Sequence, residues 1–130
     1  VYDPADIAQQ VLGTTATQTM THKRITKRVV TVTQAAAPTY NTDNADIIEI
    51  TGLAQAVTSM TTNATGTPVD GDPFKVRITD NGTARAITWG SLYESSGNVA
   101  LPTTTVISTM LTVSFEYNGV TSKWHCVGVA

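Results

Sequence analysis

Phe74-Lys75-Val76-Arg77-Ile78-Thr79-Asp80-Asn81-Gly82-Thr83-Ala84-Arg85-Ala86-Ile87-Thr88-Trp89 is the stretch on which the fold turns. Phe74, Val76 and Ile78 alternate with Lys75, Arg77 and Thr79, the period-two pattern of a strand with one dry and one wet face. Asn81-Gly82 follows, a pair that tolerates the positive φ angles of a tight turn. Ile87 and Trp89 resume the alternation. The pattern predicts a β-hairpin with Asn81-Gly82 at its tip.

The same period recurs on either side. Val29, Val30 and Val32 mark a strand within 28–33, and Ile47, Ile48 and Ile50 mark another within 46–51. Residues 54–62 read as a weaker strand and 99–101 as a short one. Residues 103–117 form the longest β-like run, with Leu111, Val113, Phe115 and Tyr117 alternating with Thr112, Ser114 and Glu116. Asn118-Gly119 predicts a second hairpin turn, closing onto a final strand over 123–129. Residues 34–44, 63–72 and 90–98 are rich in turn formers and read as loops. Short strands at regular spacing predict an all-β fold, an antiparallel β-sandwich of the jelly-roll kind with about eight strands.

Residues 1–27 differ and are read as an N-terminal arm or linker ahead of a β-sandwich domain at 28–130. Asp3 and Pro4 suit the start of a short helix, and Ile7, Ala8, Val11 and Leu12 share one face of it before Gly13. The stretch from Thr14 to Ile25 is polar apart from Met20 and Ile25. It cannot bury a core alone, so it extends outward or requires partner chains.

Composition narrows the function. The chain has 130 residues, 41% apolar and only 14% charged, with a net charge of −2. That balance gives no electrostatic footprint for nucleic acid. No apolar run approaches the ~20 residues of a membrane helix, so no membrane insertion is expected, and no signal peptide is read. Roughly a fifth of the chain is Thr, which suits half-buried pleated surfaces. A neutral, Thr-rich surface is suited to packing against other copies. The lone Cys126 excludes an internal disulfide and is expected to fill the core as a small hydrophobe.

Chemistry-bearing patterns are weak. Asp43-Asn44-Ala45-Asp46, Asp70-Gly71-Asp72 and Asp80-Asn81-Gly82 resemble fragments of calcium loops, but none completes the twelve-residue pattern, and Asp, Asn and Gly are ordinary turn formers. His22 and His125 lack the ligand spacing of a zinc site. Cys126 and His125, as strand neighbours, point to opposite faces. No Gly-x-Ser-x-Gly elbow is present, and nothing in the sequence brings a carboxylate pair together for glycoside hydrolysis. No catalytic residue, cofactor or metal site is therefore expected. Trp89 and Trp124, at strand ends, are read as core seals. Tyr40 and Tyr93, in loops, are the candidates for surface recognition, where an exposed ring could stack on a sugar.

Several separated strings, in order, resemble a module of tailed-phage and prophage structural proteins. They are Lys23-Arg24-Ile25-Thr26-Lys27-Arg28-Val29, Ala54-Gln55-Ala56 after Ile47 to Leu53, Thr65-Gly66-Thr67-Pro68-Val69-Asp70-Gly71-Asp72, the opening stretch from Phe74 to Trp89, Leu101-Pro102-Thr103-Thr104-Thr105-Val106, and Tyr117-Asn118 through Ser122-Lys123-Trp124. Thr15-Ala16-Thr17-Gln18-Thr19-Met20-Thr21-His22-Lys23 is similar to the Thr-rich linker segments of phage fibres, which read Thr-Ala-Thr-Gln-Thr-Leu-Thr-Asn-Lys. Met20 and His22 depart from that pattern, and there is one copy rather than an array.

The resemblance implies a non-enzymatic virion protein of tail-fibre or head-fibre type, usually a homotrimer, with other virion proteins as partners and a host surface glycan as a further candidate. It supplies no binding residue. Two other readings are a capsid decoration (cement) protein, whose arm would lie across neighbouring capsid subunits, and a carbohydrate-binding module using loop aromatics.

Overall fold

In a computed structural model, the structure describes His22 and residues 24–130; the helix expected near Asp3 and most of the arm lie outside this set. The described residues are all-β, with eight strands and no helix: β1 (Val29–Thr31), β2 (Tyr40–Asn41), β3 (Ile47–Leu53), β4 (Ala64–Thr65), β5 (Pro73–Asp80), β6 (Tyr93–Glu94), β7 (Leu111–Asn118) and β8 (Lys123–Val129). Six form one sheet in the order β1-β3-β5-β7-β8-β6, and β2 with β4 forms a small second one.

The sheet is mixed, which corrects the antiparallel expectation. β1 runs parallel to β3, β3 to β5, β2 to β4 and β6 to β8. Only β5–β7 and β7–β8 are antiparallel ladders. The cause is loop length. The segments between β1 and β3 and between β3 and β5 are far longer than a hairpin loop, so each crosses over the sheet and returns in the same direction. On the way, the first deposits β2 and the second deposits β4. Successive turns of chain stack in a solenoid-like manner: Thr58 N donates to Ala36 O at 2.8 Å, Thr42 N to Thr65 O at 3.0 Å and Met60 N to Thr88 O at 3.0 Å. The β7–β8 hairpin closes the coil.

The hairpin expected at Asn81-Gly82 does not form. β5 is flanked by β3 and β7, and residues after Gly82 leave the sheet to cross its buried face. There Ile87 bridges Val57 in parallel and Ala86 bridges Thr104 antiparallel. Asp80 redirects the chain. Its carboxylate accepts from Gly82 N at 3.0 Å, from Ser108 N at 2.9 Å and from Thr105 Oγ1 at 2.6 Å. An Asx-turn tied to residues 25 and 28 positions away thus replaces a two-residue hairpin turn. The second predicted turn does form: Asn118 pairs with Lys123, and Asn118 Oδ1 accepts from Val120 N at 2.9 Å.

Period two in the sequence becomes inside and outside. Ile48, Val76 and Val113 form one buried row across β3, β5 and β7, and Ile50, Ile78 and Leu111 form the next. Phe74, Phe115 and Cys126 form a third, so Cys126 is a core residue as expected. Val57, Met60, Ile87, Trp89, Tyr40 and Tyr93 cover these rows from the crossing segments. A bulge at β8 sets one extra residue, Val127, against the step between Ser114 and Phe115; it bends that strand and turns Val127 to solvent. The segments expected as strands at 54–62 and 99–101 are irregular. Leu101 N donates to Ser95 Oγ at 3.0 Å and Val99 N to Ser96 Oγ at 3.1 Å, so serine hydroxyls hold that segment in place of a ladder.

Candidate interaction surface

Tyr40 and Tyr93 are each only 5% exposed, which corrects the surface-recognition expectation: a ring closed in on both faces cannot stack on a ligand. The solenoid-like crossings turn these two loop residues inward, where their hydroxyls meet. Tyr40 donates its single proton to Met60 O at 2.6 Å, so Tyr93 must donate to Tyr40. Burial raises the ionisation of both well above the usual phenol range. Tyr40→Phe leaves the Met60 carbonyl and the Tyr93 hydroxyl without their partner, and is expected to cost about 1–3 kcal/mol, read as a lower urea midpoint at unchanged slope.

The acidic loops are held by their own carboxylates. Asp43 accepts from Thr67 N at 2.7 Å and from Thr67 Oγ1 at 3.1 Å. Asp70 accepts from Gly119 N at 2.8 Å and Asp72 from Val69 N at 2.9 Å. Asp46 is clamped by Arg28, which reaches it with its backbone N at 2.7 Å and with NH2 at 2.9 Å, while NH1 donates to Asp43 O at 2.6 Å. Each Asp of the three loops therefore fastens a turn. Among the described residues, no group of three or more His, Cys, Asp and Glu could hold a metal ion.

The Arg28 clamp also fixes the entry to β1. Hydrogen bonds from the Arg28 side chain first, and its backbone second, hold the Asp46 carboxyl down at about 2. A folded value below the unfolded one stabilises the fold above the ordinary carboxylate range. That contribution fades as pH falls from about 3.8 towards about 2. Carboxyl-carbon NMR titration is expected to place the Asp46 midpoint near 2, and Arg28→Ala to raise it part of the way towards the ordinary carboxylate range, the backbone N–H of residue 28 still holding it down.

Glu94, His125 and Thr121 form a second polar group that sequence reading missed. Thr121 Oγ1 donates to Glu94 Oε1 at 2.7 Å, and His125 Nδ1 lies 3.2 Å from the same oxygen. The Thr121 bond, then His125, lowers the Glu94 carboxyl. The contact ties β6 to β8 where their ladder has only two pairs. The register that brings residues 94 and 125 together is tertiary and leaves no local trace. Cys126 is buried, and burial pushes its thiol up, so it is a poor nucleophile.

Apolar side chains are exposed at several places, among them Val106, Ile107, Met110 and Val120; two surfaces of the sheet itself bear on assembly. One is the outer face of the sheet, where Glu49 lies opposite Arg77, Arg77 opposite Thr112, and Lys75 opposite Ser114: a face of mixed charge and hydroxyls. The other is the β1 edge. Ile25, Val29 and Val30 there are 72%, 49% and 38% exposed, beside a groove of about 590 Å³ lined by Val30, Val32, Ala35, Tyr40 and Ala45. Trp89 and Trp124, each 4% exposed, take part in neither. Compared with known proteins, the chain matches no family model, no curated protein and no solved structure.

Proposed function

We propose that this chain is a structural module of a phage virion, a fibre or appendage part that works by assembling with copies of itself and with other virion proteins. The observation that carries the reading is the division of labour among its side chains. The loop carboxylates are spent on holding turns, while large apolar side chains stand exposed along the open β1 edge. Such a surface favours association over chemistry. The ordered strings from Lys23 to Trp124 that resemble phage structural proteins point the same way.

The module is not an enzyme on this reading. Its sandwich-like core, an extended sheet covered by the crossing segments, acts as a rigid block, and repeated copies would let weak contacts with a host surface hold through avidity. Light scattering on the purified full chain tests the assembly: a homo-oligomer, a trimer by the resemblance, is the expected result. A lone monomer even at about 100 μM would contradict it.

A further inference from the structure

We propose that the outer edge of β1 and its adjoining groove receive residues 14–21 of a second copy of this chain as an added strand. The inference rests on the self-assembly reading above and names its contact.

β1 is the outermost strand, and among the described residues its only ladder is with β3. Arg28 O accepts from Asp46 N and Ile47 N, and Val32 N donates to Glu49 O at 2.9 Å. Even-numbered residues therefore turn their backbone polar groups towards β3. In a parallel ladder the alternate residues, Val29, Thr31 and Thr33, turn theirs the other way, towards open space. Val29–Thr33 contains no charge and no Pro, the usual devices that blunt an edge. The opposite edge carries two such devices, the two-residue β6 and the bulge at Val127. The β1 edge thus offers unpaired main-chain groups beside a groove of mixed lining, Val30, Val32, Ala35, Tyr40 and Ala45 among Thr and Asn side chains, the combination of ladder and side-chain pocket that strand addition uses.

The arm has the complementary chemistry. Residues 14–21 contain no charge, Gly or Pro. Thr15, Thr17, Thr19 and Thr21 alternate with Ala16, Gln18 and Met20, so an extended backbone would put these hydroxyls on one side and Ala16, Gln18 and Met20 on the other. Eight residues reach about 26 Å when extended, more than the ~16 Å of the edge. The main chain would complete the ladder, Met20 and Ala16 would meet Val30, Val32 and Ala35 of the groove, and Gln18 between them would meet its Thr and Asn side chains. On the self-assembly reading a neighbour supplies the strand; residues 24–28 lead into β1 without a turn, and His22 before them is a bend with φ +56°, so the mixed-variant experiment below separates a neighbour's arm from a fold-back of the chain's own.

Two full-length variants test the contact from opposite sides. Thr31→Pro removes an outward N–H and leaves the bonds to β3 in place. Met20→Asp puts a charge against Val30, Val32 and Ala35 of the groove. Each variant is expected to keep the wild-type circular dichroism and to weaken self-association about tenfold or more. An equimolar mixture is expected to regain association, because the intact arm of the Thr31→Pro copies can add to the intact edge of the Met20→Asp copies. A wild-type monomer overturns the assembly reading and this contact with it. A wild-type oligomer that neither variant weakens, or variants that stay apart when mixed, overturns the contact alone, the second result placing the arm on its own chain.

Discussion

Phe115→Ala is expected to cost about 3–5 kcal/mol, a large part of the 5–15 kcal/mol that holds a domain of this size, and to leave the variant largely unfolded at 37 °C. Phe115 is 2% exposed. Its ring lies 5.3 Å from Trp89 and 4.9 Å from Tyr93, and those two are 5.2 Å apart. It stands opposite Phe74 on the neighbouring strand, whose ring lies 5.1 Å from Trp124. Truncation would open a cavity where Phe115 of the sheet meets Trp89 and Tyr93 of the crossing segments. Those rings are fixed from elsewhere, Trp89 by an indole N–H donated to Pro102 O at 2.7 Å, so they cannot collapse into the space. Denaturant titration of the variant against wild type measures the loss; a cost under about 1 kcal/mol would mean that the two layers are not packed through this residue.

Gly90→Ala is the second large effect, expected at about 2–4 kcal/mol, from a left-handed backbone and from overpacking together. Gly90 has φ +83°, and an added Cβ would lie 2.6 Å from Thr61 Oγ1 and 2.8 Å from Thr61 Cβ. Thr61 cannot step aside cheaply. Its hydroxyl donates to Trp89 O at 3.0 Å and accepts from Leu92 N at 3.1 Å, stitching the corner that turns Tyr93 into the core. Gly71→Ala is the control: φ is +87° there too, but nothing lies within 4 Å, so only the backbone penalty of about 1–2 kcal/mol applies. Equal losses in the two variants would show that the Thr61 corner is not as tight as described.

Which parts of this fold could be read from the chain follows from how local each cause is. β8 and the part of β7 from Leu111 on were legible because alternation on both sides of Asn118-Gly119 and the turn itself agree, whereas residues 103–110 of the expected run are irregular. At Asn81-Gly82 the same pair misleads, since Asp80 bonds Thr105 and Ser108 and the chain after Gly82 is needed over the core. Alternation is also identical in parallel and antiparallel strands, so Ile47, Ile48 and Ile50 announce a strand but not its direction. The long segments 34–44 and 63–72 were the available sign of crossovers. Tyr40 and Tyr93 sit beside turn formers as exposed aromatics would, and only the stacking of successive turns of chain sends them inward. The Arg28 clamp was within sight, as a basic residue before a strand with an Asp opposite. Its partner, eighteen positions on, could not be named without the register.

The proposed virion role is tested most directly by locating the chain in an intact particle. A reconstruction of purified phage particles, with the chain identified by mass spectrometry, is predicted to show repeated copies of this β-domain in an external fibre or appendage, neighbouring copies in contact. Absence of the chain from purified particles, or its recovery only as a free monomer acting on a polysaccharide, would contradict the account.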